Sequence, residues 1–388
     1  MNKDLIFVVD EIPKTIHKRL HLIYFIVKMM FIGACVFMVI QYTALLMVRN
    51  EFNSINDSNG FVSHIYCGTF FVELNVENSF ISESAAQEYI QGADKSFSEI
   101  IIVGMSIVIL LCIFFALRNC DRKVIFSRKT SRLFLTSGIL CVIVNLWGEY
   151  EKYTDMRLYK DLSIGILANE RYYCQLYNVL AIPVMILCCG LLLRHHEQKL
   201  YNQSTKGNSI ALKIIAISVL VISFSFIFYR FGIRMYELIL VLSGENISVR
   251  LPFYSKLIEL PYELAKTPDE YINLIIFRFL KDLPVFVASA LVIILFSNVL
   301  FFISKGEINI AENRKKIRIC IIALIVSSLL FNIFGLLEVN MLNSGFTGIY
   351  GEATYTIGLR SDCEPMLYAI LLWFFLVFIQ CVPQKNET

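Results

Sequence analysis

Apolar residues along this chain gather into eight runs separated by shorter polar stretches: Leu22–Val48, Ile100–Leu117, Leu133–Trp147, Leu176–Leu193, Ile210–Tyr229, Val285–Ile303, Ile317–Leu337 and Met366–Val382. A bilayer core about 30 Å thick is crossed by roughly 20 apolar residues in a helix, so each run predicts a transmembrane helix. Leu133–Trp147 is short and is expected to continue past Trp147. Leu22–Val48 is too long for the apolar region of a signal peptide and has no small-residue cleavage site, so it is read as a span. The expected fold is an all-α membrane protein with eight transmembrane helices.

The punctuation between the runs repeats. Asn145-Leu-Trp-Gly-Glu-Tyr-Glu151 returns 187 residues later as Asn332-Ile-Phe-Gly-Leu-Leu-Glu338. The run that ends in each copy begins after a basic cluster, Arg128-Lys129-Thr-Ser-Arg132 and Arg314-Lys315-Lys316-Ile-Arg318. A cysteine follows each copy, Cys174 and Cys363, and opens the next run. The expected outer loops alternate long, short, long, short, over 50–99, 149–173, 233–282 and 341–364. A period this long predicts one unit duplicated in tandem, residues 1–206 and 207–388. Four spans per unit make the repeats parallel, with their axis along the membrane normal.

Lys and Arg near span ends set the orientation. Lys14, Lys18 and Arg19 precede the first span, and the second-to-third, fourth-to-fifth and sixth-to-seventh connections are also basic. With eight spans these lie on one side, which predicts cytoplasmic termini. The segment 230–282 fits less well, since it holds Arg230, Arg234, Arg250, Lys256, Lys266, Arg278 and Lys281. Within the loops, Ser84-Ala-Ala-Gln87 and Thr267-Pro-Asp-Glu270 read as helix starts. Leu251–Pro261 reads as a segment lying on the outer membrane surface or as a packed loop.

Composition narrows the class. The chain is 57% hydrophobic and 17% charged, with a mean hydropathy of +0.64, against roughly 25% charged in a soluble domain. A net charge of +3 gives no electrostatic case for a nucleic-acid partner. Most of the 11 cysteines fall inside the runs, where cysteine acts as a small apolar residue. Cys174 and Cys363 carry two readings, a disulfide across the halves or two free thiols.

Two connections carry a resemblance. Asp121-Arg-Lys-Val-Ile-Phe126-Ser127 and Lys305-Gly306-Glu307 with Glu312-Asn313 are each similar to part of the signature I-D-x-G-x-x-F-S-x-E-N. That signature belongs to a bacterial four-helix membrane domain family of unknown function. Overlaid, Asp121 matches Ser304, Phe126 matches Asn309 and Thr130 matches Asn313. The resemblance implies a bacterial cytoplasmic membrane protein and brings no activity with it. Read physically, Ser127 caps the third helix, and Asn309 with Glu312 caps the seventh.

Ionisable groups inside spans are costly and mark candidate sites. Asn145, Glu149, Asn332 and Glu338 form the candidate binding set, on two matched helices expected to face a path between the repeats. Hydrogen bonding within one half is the competing role for them. Glu151 closes the first motif copy. Lys28 and Lys213 form another matched pair, read as snorkelling to headgroups. His195-His196 is read as a solvated pair rather than a metal site, and Cys188-Cys189 as packing. Pro183 and Pro284 are candidate kinks, Pro284 more simply a first-turn proline. No motif asks for a cofactor or metal, and no H-E-x-x-H or G-x-S-x-G signals an enzyme. The expected function is a multi-pass membrane protein with a polar transport path for a small solute. The alternative is a sensor, immunity or accessory protein that binds a protein partner through its outer loops.

Overall fold

The computed structural model describes residues 13–51, 61–67, 70–76, 95–122, 125–161, 176–245, 249–253, 256–260, 265–345, 349–350, 353–359 and 364–382. They form eight helices: α1 Lys14–Glu51, α2 Lys95–Asp121, α3 Arg128–Asp161, α4 Leu176–Leu200, α5 Lys206–Leu242, α6 Pro268–Ser304, α7 Ala311–Gly345 and α8 Glu364–Cys381. Each grows from one of the expected apolar runs, and α3 continues past Trp147 as expected. Six contain segments long and apolar enough to cross a membrane: Lys14–Ile40, Ile101–Asp121, Arg128–Tyr150, Lys206–Leu242, Pro268–Ser304 and Ala311–Glu338. Such a chain is a multi-pass membrane protein. Six of the eight expected spans therefore meet the requirement among the described residues, and α8 is apolar but shorter.

The other two, α4 and α8, form the interior. Cys188, Leu192 and Leu193 of α4 and Phe375, Val377 and Ile379 of α8 are completely buried. Rings interlock around them: Phe134 of α3 meets Phe378 edge-on at 5.3 Å, and Phe296 of α6 meets Phe375 at 5.5 Å. The outer helices keep large apolar side chains exposed, among them Phe25, Phe37, Ile214, Phe228, Val287 and Ile322. Such a surface costs free energy in water and little in lipid, so the bilayer is its natural solvent.

Neighbours in sequence are neighbours in space. α1, α2, α3 and α4 pack in succession, as do α5, α6, α7 and α8. Among the helices, the halves meet mainly where α4 touches α5 and α8 and where α1 touches α8. Hydrogen bonds tie two of these contacts, Arg19 Nη1 to Gln380 Oε1 at 3.1 Å and Asn208 Nδ2 to Gln198 Oε1 at 2.8 Å. Within the first half, α3 and α4 approach closely through two glycines. A Cβ on Gly138 would stand 2.6 Å from Leu187 Cγ, and one on Gly190 would stand 3.0 Å from the Leu135 nitrogen.

The helices outrun their apolar cores at one end of the bundle, so the connections there are shorter than expected. α5 reaches Leu242 and α6 starts at Pro268, which shrinks the expected loop 233–282 to 243–267. Thr267 caps α6 as its sequence predicts: its side chain accepts from the Glu270 N–H at 3.3 Å, with Pro268 at the first position and two acids in the first turn. Pro284 is therefore not a first-turn proline but lies inside α6, and Pro183 lies inside α4.

The same end carries strands that an all-helical reading does not anticipate. β1 Phe61–Cys67 and β2 Phe70–Val76 form a hairpin, and β2 pairs antiparallel with β6 Ala353–Leu359, which pairs with β5 Ile349–Tyr350. The sheet order is β1-β2-β6-β5, joining the first and last connections of this end. β3 Val249–Phe253 and β4 Lys256–Leu260 make a separate hairpin where a surface-lying segment was one expectation. Ser84–Gln87, Cys174 and Cys363 lie outside the described residues.

At the opposite end the connections are tight. Ser127 caps α3: its Oγ accepts from the Thr130 N–H at 3.2 Å and meets Thr130 Oγ1 at 2.8 Å. Asn309 does something else. Its amide donates to the Val382 carbonyl just beyond α8, where the last carbonyls of a helix have no intrahelical partner. Asn313 braces the turn by donating to the carbonyls of Glu307 at 2.8 Å and Ile308 at 3.1 Å. The matched positions Thr130 and Asn313 are both fully buried.

Candidate functional site

The four candidate residues divide between two helices that the main seam does not join. Asn145 and Glu149 lie on α3, half-buried and buried, and α3 packs on α2 and α4. Asn332 and Glu338 lie on α7, which packs on α6 and α8. Asn332 donates to the carbonyl of Ser328 one turn back, at 2.8 Å. Of Glu151 only the backbone is described. Lys28 and Lys213 are exposed on the bundle surface, as snorkelling side chains are.

Glu338 is completely buried, and its partners come from α6 in the same half. Arg278 Nε lies 3.0 Å from Oε1, an ion pair without hydrogen-bond alignment, and Lys281 Nζ binds Oε2. The Lys281 ammonium also sits 4.6 Å from the Phe331 ring centre. One residue on, Asp282 accepts from Arg234 Nε of α5 at 2.9 Å, and Arg234 Nη1 reaches Glu237 at 2.8 Å. Six charges thus pin α5, α6 and α7 together at one level. Ionised groups this deep persist only when paired, and each of these is.

These bases were part of the anomalous segment 230–282. Arg234, Arg278 and Lys281 are not loop charges: they sit on helices, opposite acids. That takes three of the segment's seven basic residues out of conflict with the positive charges at the other end. The spacing Arg278, Lys281, Asp282 places all three on one helix face, a signal the sequence does contain.

A cavity of about 580 Å³ lies beside the seam between the halves. One face of α5 forms its longest wall, through Ile215, Val219, Ile222, Phe226 and Tyr229, a three-and-four spacing that lines one side of a helix. α4 contributes Ala181, Val184 and Met185, α6 contributes Val292, Ile293 and Phe296, and Leu324, Tyr368 and Leu372 complete it. The lining is overwhelmingly apolar, relieved by Ser218, Ser223, Ser225 and two tyrosine rings. Val221, Ile222 and Tyr229 are also exposed on the outside of the bundle, so the space opens sideways. Its volume falls in the ligand-sized range of roughly 300–1,000 Å³.

The His195-His196 pair is not solvated. Both residues belong to the last turns of α4, beyond its apolar run, and both are buried. The His196 ring packs edge-on against Phe126 at 4.4 Å. Desolvation, with the nearby Lys199 charge, lowers the His196 pKa from 6.5 to about 4 and lowers that of His195. Beside them Glu197 accepts from Ser131 Oγ at 3.2 Å, and burial raises its pKa. Among the described residues no group of three His, Cys, Asp or Glu could hold a metal ion. Cys188 and Cys189 are buried packing residues.

No protein-family model, curated protein or solved structure matches the chain.

Proposed function

We propose that this chain is a non-catalytic membrane receptor or accessory protein that takes an apolar or amphipathic ligand from the bilayer into the cavity beside α5. The observation that carries the reading is the chemistry of that cavity: apolar walls from both halves and an opening toward the lipid-facing surface. A conduit for a polar solute would need hydrogen-bonding groups along the seam. The strongest polar group of the candidate set, Glu338, is instead consumed by Arg278 and Lys281 within one half.

The architecture proposed with it is two parallel four-helix repeats, 1–206 and 207–388, in a bacterial cytoplasmic membrane with both termini inside. Three observations support the duplication. Exchanging the halves maps the α4–α5 contact onto the α8–α1 contact and leaves α4–α8 in place. The buried positions Phe134, Ser137, Cys141 and Val144 of α3 recur at Ile317, Cys320, Leu324 and Ser327 of α7. Cys188, Cys189, Leu191 and Leu192 of α4 recur at Phe375, Leu376, Phe378 and Ile379 of α8. The α3–α7 recurrence has the register of the Thr130–Asn313 match, one helical turn away from the Asn145–Asn332 match.

The test is occlusion. Ala181→Trp and Ile222→Trp each place a large ring in the cavity. Photo-crosslinking with a diazirine-bearing acyl chain in proteoliposomes should label α5 of the unmodified protein and lose that label in both variants. Undiminished labelling of α5 in correctly inserted variants would refute the reading.

A further inference from the structure

We infer that the occupant is an anionic lipid of the bilayer, its acyl chain in the cavity and its headgroup on Arg230. The inference rests on the proposed ligand-binding reading and adds the sign and level of the polar end.

Three observations meet at Arg230. First, it adjoins the cavity: it follows Tyr229, and its guanidinium carbon lies 5.7 Å from the ring centre of Phe226, another lining residue. Second, it lies at headgroup depth. Lys213 and Arg230 bracket an uncharged, mostly apolar stretch of α5 that spans about 25 Å at 1.5 Å per residue, close to the thickness of the hydrocarbon core. Tyr229 is then placed as interfacial aromatic residues are.

Third, the local charges leave one positive charge over. Arg234 is taken by Asp282 and Glu237, and Arg278 and Lys281 share Glu338. Arg230 acts electrostatically on Asp282 but makes no ion pair with any described carboxylate. Four bases thus face three acids, and the unmatched base is the half-exposed one at the rim of the cavity. A guanidinium in that position presents a fork suited to a phosphate or carboxylate. A zwitterionic headgroup would bring its own cation into a region already positive.

The experiment compares two lipids with the same diazirine-bearing chain, one with a phosphatidylglycerol and one with a phosphatidylcholine headgroup, in vesicles of otherwise fixed composition. The unmodified protein should label at α5 several-fold more with the anionic lipid. Arg230→Gln should bring the two lipids to parity, and Arg230→Lys should retain part of the preference. That partial rescue separates lost charge from lost folding. Equal labelling by both lipids, still abolished by Ile222→Trp, would overturn the anionic assignment and leave the ligand-binding reading intact. Labelling that Ile222→Trp does not reduce would overturn both.

Discussion

Removing the Glu338 carboxylate is the sharpest perturbation of the buried charge cluster. In Glu338→Ala, Arg278 and Lys281 keep their positions and lose the group both contact. Breaking a buried pair from one side costs about 3–5 kcal/mol, because the remaining charge stays desolvated. Here two cations are left, which argues for the upper part of that range. Lys281 keeps its place over the Phe331 ring at 4.6 Å, an interaction worth about 0.5–2 kcal/mol that survives the mutation and tempers the loss. The expected destabilisation is therefore about 3–4 kcal/mol. It is measured by unfolding in mixed micelles, as a midpoint or as an inactivation half-life where unfolding is irreversible. The combination Glu338→Leu, Arg278→Met and Lys281→Met removes all three charges at similar volume and should recover most of the loss. If Glu338→Ala stays within about 1 kcal/mol of the parent, the pair behaves as a solvated surface bridge and the reasoning fails. It fails equally if the triple variant is as unstable as the single one, since unpaired charge would then not be the cause.

Other outcomes are specific. Gly190→Ala should cost about 1–3 kcal/mol by overpacking against the Leu135 backbone, whereas Gly104→Ala, with open space around it, should be neutral or slightly stabilising in the same assay. Because the folded-state pKa of His196 is about 4 against a reference of 6.5, the unfolded chain binds the extra proton first as pH falls. Stability should be full above about pH 6.5 and fall toward pH 4, by on the order of 3 kcal/mol. His196→Phe, which keeps a ring against Phe126, should flatten that dependence; an unchanged slope would clear His196 of the effect. For orientation, a membrane-impermeant thiol reagent applied to intact cells should reach Glu245→Cys and not Gln203→Cys, and the reverse pattern would invert the proposed topology.

Local signals in the sequence transferred well to the fold. The Thr267-Pro-Asp-Glu270 start and the Ser127 cap are set by residues within one turn, and both form as their chemistry predicts. Asn309 has an equally good capping sequence but spends its amide on the end of α8, a partner 73 residues away that no local pattern names. The charge cluster was half legible. Its spacing on α6 is visible, but Arg234, Arg278 and Lys281 look like loop charges until α5 and α6 are known to extend beyond their apolar runs. The cavity was hardly legible, because its walls are ordinary apolar residues from five helices. The depth of α4 and α8 was hidden for the same reason, since apolar composition does not distinguish a lipid-facing helix from a central one.

The pairing of β2 with β6 has a consequence for how the protein is made. Phe70 aligns with Leu359 and Asn75 with Thr354, so the two strands are separated by about three-quarters of the chain. At roughly 5–20 residues per second of synthesis, β2 waits about 15–60 s for its partner. During that interval the hairpin β1–β2 exposes the edge that β6 later covers, and exposed edges invite other strands. Closing the sheet is thus a late step of biogenesis, a clasp that fastens only after α7 has been inserted. A chain truncated before Ala353 would leave that clasp open, with the hairpin presented to whatever strand lies nearest.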